Sequence, residues 1–177
     1  NYMSNNRIPI HSILGNDVVE KISVWAEKIP TISELVEFLS LEFQIDITSD
    51  LDIVNGYERD CSNINGNAEV LCRPINELEC ALLLRCCQSV KIPLTISAGR
   101  TNLTGSATPE GGVILSIEKM TQPKVKVDSA SKTITTPVGI YLEDMRKEAL
   151  RQSNNKLHYP VDPTSRKEAM VGGTLSC

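Results

Sequence analysis

Three short apolar runs constrain this chain more than any other feature: residues 69–73, Leu94–Ser97 and residues 113–117. Each is too short for a helix and is built mainly from aliphatic and β-branched side chains, so each reads as a strand. Pro74 stops the first, and Asn76 with Glu79 can cap a helix running to about Val90. Leu78, Ala81, Leu82, Cys86 and Ser89 give that helix one small or apolar face. Strand, helix and strand in this order predict a parallel βαβ unit with the usual right-handed crossover. A turn built on Pro109, Gly111 and Gly112 leads into the third strand. The expected fold class is α/β (α+β), a small mixed sheet whose parallel part is flanked by helices.

The flanks read differently. Thr31 and Glu34 form a capping-box pair ahead of Leu35, Phe38, Leu39 and Leu41, which predicts a helix over Ile32–Phe43. Val18, Val19, Ile22 and Trp25 stand at helical spacing between Pro9 and Pro30, giving a short peripheral helix over residues 17–28. Residues 45–60, rich in Asp, Asn and Gly, read as a connector. The chain therefore divides into an N-terminal helical extension with its connector, 1–56, and a main domain, 57–177. Within the latter, residues 124–127 and 133–136 look like hairpin arms joined through Asp128, Ser129, Ala130 and Ser131. Residues 141–152 form an amphipathic helix with Leu142, Met145 and Leu150 near one face, and Asn154 and Asn155 are suited to ending it.

Bulk properties exclude several classes. A chain of 177 residues with 41% hydrophobic and 23% charged side chains has the make-up of one folded globular domain, which argues against disorder. A net charge of -4 without a basic run gives nucleic acid no electrostatic foothold. The longest apolar stretches, such as Ala81-Leu82-Leu83-Leu84, fall far short of the roughly 20 residues a membrane-crossing helix needs, and the start lacks a signal-peptide pattern. The six cysteines form no CxxC pair and only His11 and His158 accompany them, so no metal site is expected. Cys80, Cys86 and Cys87 fall in a helix predicted to be buried, where free thiols serve as small apolar residues, a usage that suits the cytoplasm.

The segment that carries chemistry is Ser97-Ala98-Gly99-Arg100-Thr101-Asn102-Leu103-Thr104-Gly105-Ser106. It follows a strand, and its small and polar residues can turn successive backbone N–H groups toward one point, a nest for phosphate oxygens to which Arg100 adds charge. The P-loop pattern fails, because Ser106 stands where a Lys is required, and the dinucleotide fingerprint GxGxxG is absent. Taken alone, the segment reads first as an ordinary glycine turn between two strands.

The company it keeps is more specific. The strand-helix-strand unit, Gly99-Arg100-Thr101-Asn102-Leu103-Thr104-Gly105, Pro109-Glu110-Gly111-Gly112, the third strand and Glu118-Lys119-Met120 together resemble the first subdomain of the PCMH-type FAD-binding fold of the vanillyl-alcohol oxidase and D-lactate dehydrogenase family. Further on, Tyr159-Pro160-Val161-Asp162-Pro163-Thr164-Ser165 and Gly172-Gly173-Thr174 resemble that family's second flavin-contact segment. The resemblance covers roughly residues 57–177, and more weakly the helix from Thr31. It implies that Gly99, Arg100, Thr101, Asn102, Leu103 and Thr104 hold the FAD pyrophosphate, and that Asp162, Pro163, Ser165, Gly172 and Gly173 shape the isoalloxazine site. Many relatives carry glycine where Arg100 stands, and the loop offers neither His nor Cys for covalent attachment, so noncovalent FAD is expected.

The same resemblance implies a flavin-dependent oxidoreductase in the intact protein, oxidising a small-molecule 2-hydroxy acid of the D-lactate or glycolate type by hydride transfer to flavin N5. Its relatives continue into a second FAD subdomain and a cap domain, so the chain reads as the front part of such an enzyme, inactive alone and prone to self-association through an open sheet edge. No residue here qualifies as catalytic: His158 has no partner in sequence and reads as a strand-end filler, and Asp162 alone would be a turn residue beside two prolines. Trp25, Tyr57 and Tyr141 read as packing residues with a polar edge, and Glu118 with Lys119 as solvated strand-end charge. Two rival readings stand beside the enzyme: a non-catalytic nucleotide-binding module using the 99–105 loop, and a structural fragment that has lost cofactor binding.

Overall fold

Three strands lie parallel in register, with Val70, Val113 and Leu94 in one rank and Cys72, Leu115 and Ile96 in another. They belong to a four-stranded sheet of order β1-β2-β4-β3, where β1 is Ile47–Thr48, β2 is Val70–Cys72, β3 is Leu94–Ser97 and β4 is Val113–Ser116. β1 pairs antiparallel with β2, which makes the sheet mixed. The computed structural model describes residues 13–62, 68–97 and 112–156.

Every residue of β2 and β4 is buried, because both faces of the sheet are covered. On one face, Val70, Cys72, Val113 and Leu115 share a core with Ile22 of helix α1 (Asn16–Glu27), Leu35 and Leu39 of α2 (Ile32–Phe43), and Ala81, Leu82, Leu83, Cys86 and Cys87 of α4 (Glu77–Val90). On the other, Leu71 and Ile114 pack under Val54 and Tyr57 of α3 (Leu51–Ser62). A fully buried Leu or Ile contributes roughly 1.5–3 kcal/mol, so Leu35 and Leu39 alone strongly favour docking of α2. Trp25 and Phe38 stack at 4.5 Å and tie α1 to α2.

The helix ends follow the sequence closely. Thr31 and Glu34 make the full capping box, and α2 stops at Gln44, which sits at φ 51°. Asn76 Oδ1 accepts the Glu79 N–H at 2.9 Å, and Glu79 reaches back to the Ile75 N–H at 2.8 Å. The buried stripe of α4 takes in Leu83 and Cys87, while Leu78 and Ser89 of the predicted face are exposed. α1 begins one residue earlier than its periodicity suggested.

The connector expected over residues 45–60 is instead the edge strand β1 and the helix α3. Asp50 makes the difference: its carboxylate accepts the Asp52 N–H at 3.0 Å, and its carbonyl accepts the Val54 N–H, so the polar residue starts the helix rather than breaking it.

A separate two-stranded ribbon joins β5 (Lys126–Asp128) to β6 (Thr133–Thr135), with Asp128 accepting the N–H groups of Ala130 and Ser131 in the turn. Helix α5 (Leu142–Gln152) packs on it through Met145, against Val125, Ile134 and Ile140. Asn154 and Asn155 follow at φ 52° and 63°, the left-handed values expected of them. Among the described residues, no helix is long and apolar enough to cross a membrane.

Candidate functional site

Parallel pairing places the carboxyl ends of β2, β4 and β3 on one edge of the sheet. Open α/β sheets take their ligands beyond that edge. Ser97 ends β3 there and Ser116 ends β4 beside it; the two are in register and almost fully buried. The Ile117 N–H donates to the Ser97 carbonyl at 3.1 Å, and the Glu118 N–H reaches Ser116 Oγ at 3.4 Å. Residues 98–111 therefore leave from a hydrogen-bonded, sterically slim corner and must return to the opposite end of the sheet to enter β4. Their return point is Gly112, at φ 70°; a Cβ there would lie 2.2 Å from the Pro93 carbonyl oxygen, so only glycine fits.

Beside this corner, polar and charged side chains from four parts of the chain meet. Arg73, one residue past β2, lies with Nε 3.1 Å from Asp46 Oδ2 and with an amino group 3.7 Å from Glu118. The Tyr57 hydroxyl on α3 donates to Glu118, and Lys119 donates to Asp46. Burial alone would raise the Asp46 carboxyl, yet Lys119 and Arg73 outweigh it and hold it below the usual range. Burial, reinforced by Glu118, pushes the Tyr57 phenol up to about 12, so at neutral pH it keeps the proton that it donates to Glu118. Glu118 and Lys119 are thus members of a cross-element network, not the solvated strand-end charge expected of them. Two cations balance two carboxylates, so the network fixes the edge without giving it net charge.

Gly99, Arg100, Thr101, Asn102, Leu103, Thr104, Asp162, Pro163, Ser165, Gly172 and Gly173, the residues implied as cofactor contacts, lie outside the described residues, as does His158. The described residues fix where the first of these segments starts and finishes. At this corner the small buried hydroxyl residues Ser97 and Ser116 follow the bulkier aliphatics Ile96 and Leu115 of the preceding rank. Among the described residues, no three His, Cys, Asp or Glu side chains come together to hold a metal ion. The Tyr57–Glu118–Arg73–Asp46–Lys119 network was not anticipated from sequence, because its members are separated by up to 73 positions and only the sheet register unites them.

An open α/β module whose parallel strands deliver a glycine-rich segment from their carboxyl edge is a nucleotide-cofactor type of scaffold. The comparisons narrow that class. A sequence model described as "FAD binding domain" matches residues 68–177, well over half of the chain, and the chain belongs to this FAD-binding family. D-lactate dehydrogenase of Anaerostipes hadrus is 34% identical over 128 residues, covering 71% of this chain and 26% of the relative. Glycolate oxidase subunit GlcD of Bacillus subtilis is 32% identical over 105 residues, covering 58% and 21%. The chain thus spans about a quarter of the length of these curated relatives. Among solved structures, alkyldihydroxyacetonephosphate synthase superposes with a TM-score of 0.56 at 21% identity, over 64% of this chain and 21% of that one. The grass pollen allergen Phl p 4 gives 0.59 at 16% identity, over 72% and 27%. At these identities the structural likeness concerns the fold, the mixed α/β architecture of the PCMH-type FAD-binding domains.

Proposed function

We propose that this chain is the diphosphate-holding part of the FAD-binding domain of a flavin-dependent oxidoreductase that acts on a 2-hydroxy acid of the D-lactate or glycolate type. The observation that carries the reading is the parallel order β2-β4-β3, which starts the 98–111 segment at the carboxyl edge of the sheet in a chain of the FAD-binding family. The two curated relatives named above, a D-lactate dehydrogenase and a glycolate oxidase subunit, support the substrate class.

Residues 57–177 carry the cofactor function, while residues 1–56 supply the edge strand β1 and help to cover the sheet, with Leu35 and Leu39 on one face and Val54 on the other. Backbone N–H groups of Gly99, Thr101, Asn102, Leu103 and Thr104 hold the diphosphate, with Arg100 supplying charge. Asp162, Pro163, Ser165, Gly172 and Gly173 shape the surroundings of the isoalloxazine. When bound, FAD supplies N5 as hydride acceptor for the substrate carbon. Binding is noncovalent, since the loop offers no His or Cys to attach the flavin. The buried thiols Cys72, Cys86 and Cys87 support a reducing, cytoplasmic setting. β3 has no strand on its outer side among the described residues, and Ile96 there is 57% exposed, which favours self-association of the isolated chain.

The test is to purify the intact polypeptide from its source cells, record the flavin absorption bands, precipitate it with acid and add D-lactate or glycolate to the native form. Yellow protein, flavin released into the acid supernatant and bleaching by one of the acids are expected. A colourless protein that takes up no added FAD would refute the reading.

A further inference from the structure

We propose that Tyr57 is a positioning residue for the FAD diphosphate, acting through Glu118, Ile117 and Ser97; this rests on the function proposed above. The Tyr57 hydroxyl donates to the Glu118 carboxylate. Glu118 follows Ile117, whose N–H holds the carbonyl of Ser97 at 3.1 Å, and Ser97 is the residue from which the cofactor segment departs. The path from helix α3 to the base of that segment therefore runs through one charge-assisted hydrogen bond, one peptide link and one backbone hydrogen bond.

Each link has a physical reason to be stiff. Val54, one turn before Tyr57, is fully buried against Leu71 and Ile114, so α3 is anchored on the central strands. A phenol donating to an ionised carboxylate belongs to the stronger class of hydrogen bonds, and with Tyr57 raised to about 12 the donor proton stays in place across the physiological range. Arg73 faces the same carboxylate at 3.7 Å from the side of β2, so Glu118 is held between two elements. Ser97 and Ser116 are both buried, which removes slack at the corner. Backbone N–H groups that converge on phosphate oxygens lose affinity when their take-off point moves by a fraction of an ångström, and that is the quantity this path fixes.

A merely structural clamp would lower the melting temperature and leave the affinity of the folded protein unchanged. The experiment separates the two in the intact polypeptide, stripped of flavin and titrated with FAD by fluorescence quenching. Tyr57→Phe is expected to weaken FAD binding about tenfold at a temperature where the apoprotein is fully folded. Glu118→Leu should match it, Glu118→Gln, which keeps an oxygen to accept the phenol proton, should lie within about threefold of wild type, and the Tyr57→Phe/Glu118→Leu double variant should be no weaker than either single one. Hydrogen exchange of the apoprotein gives a second readout: in Tyr57→Phe the Ile117 amide is expected to exchange at least tenfold faster, with Leu83 and Ile114 unchanged. Wild-type affinity in Tyr57→Phe, or unaltered Ile117 exchange, overturns this inference and leaves the proposed function standing. Failure of the wild-type protein to bind FAD overturns both.

Discussion

Gln152 completes the outer edge of β5 as a neighbouring strand would: its Oε1 accepts the Val127 N–H at 2.9 Å while its Nε2 donates to the Val125 carbonyl at 2.9 Å. A two-stranded ribbon is marginal on its own, and this side-chain amide joins it to α5. The same Nε2 also reaches Glu148 at 2.7 Å, which keeps the amide oriented. Gln152→Ala removes both backbone contacts at a cost of about 1–2 kcal/mol. A thermal melt combined with amide exchange should show the Val127 N–H losing protection while Leu115, in the main sheet, keeps its own. Gln152→Glu is expected to be worse than Ala at neutral pH, because it loses the donor and sets a second carboxylate beside Glu148.

Gly139 lies against the chain just past β4, donating its N–H to the Met120 carbonyl at 2.9 Å. A Cβ added there would stand 2.2 Å from the Ile117 oxygen and 2.8 Å from the Met120 oxygen, both backbone atoms that cannot rotate away. Overpacking of this kind costs roughly 1–3 kcal/mol. Gly139→Ala is expected to fall at the upper end of that range, lowering the melting temperature by several degrees. The comparison is Gly56→Ala, where nothing lies within 4 Å and a helical glycine is replaced by the best helix former. That variant should melt at or above the wild-type temperature.

Much of the fold was legible where local chemistry decides it. Thr31 with Glu34, Asn76 with Glu79, and the pair Asn154 and Asn155 each announce a helix end through groups within a few residues of one another. The strand Leu94–Ser97 was likewise readable, because a proline precedes it and glycines follow. What escaped was non-local. Asn55 and Gly56 interrupt the apolar spacing of α3, so the helix is hard to see without knowing that Val54 and Tyr57 have Leu71 and Ile114 to cover. The face of α4 was misjudged at Leu78 for a related reason: periodicity allows several adjacent stripes, and the packing against α1 and the sheet selects the one containing Leu83. The edge network was invisible because Asp46, Tyr57, Arg73 and Glu118 share no local pattern.

Acid should weaken the fold through two depressed carboxylates. Asp46 is held low despite its burial by Lys119 and Arg73, and Glu148 is drawn down to about 2 by Arg151 and then Gln152. In the unfolded chain both titrate near 4. A folded value below the unfolded one gives stabilisation that is present above about pH 4–5 and disappears as pH falls through the folded values. The melting temperature is therefore expected to drop between pH 5 and pH 2. Asp46→Asn should show a shallower drop over that window. Both carboxylates are about one-third exposed, so screening keeps each contribution small, and 1 M salt should reduce the slope further.

Alkali should act through the thiols. Cys72, Cys86 and Cys87 are buried, and Cys80 places its sulfur 3.4 Å from that of Met120. Burial raises all four thiols, Cys80 to about 11 and Cys86 and Cys87 to about 12, with Cys72 raised further still. Here the charged form is disfavoured in the fold, so the sign is reversed: stability is intact below the unfolded thiol value near 9 and is lost as pH rises from there toward the folded values. Since the thiolate is the nucleophile, the same burial predicts that N-ethylmaleimide at pH 8 leaves Cys72, Cys86 and Cys87 unlabelled in the native protein, with Cys80 the first of the four to react. Peptide mapping by mass checks the order, and denaturant should make all four react at similar rates. Rapid labelling of Cys86 in the folded chain would contradict the role of these residues as core side chains. Cys86→Ser then offers an independent check: a hydroxyl without a partner in that position costs about 1–3 kcal/mol, whereas Cys86→Ala loses only packing, so the serine variant should melt lower than the alanine one.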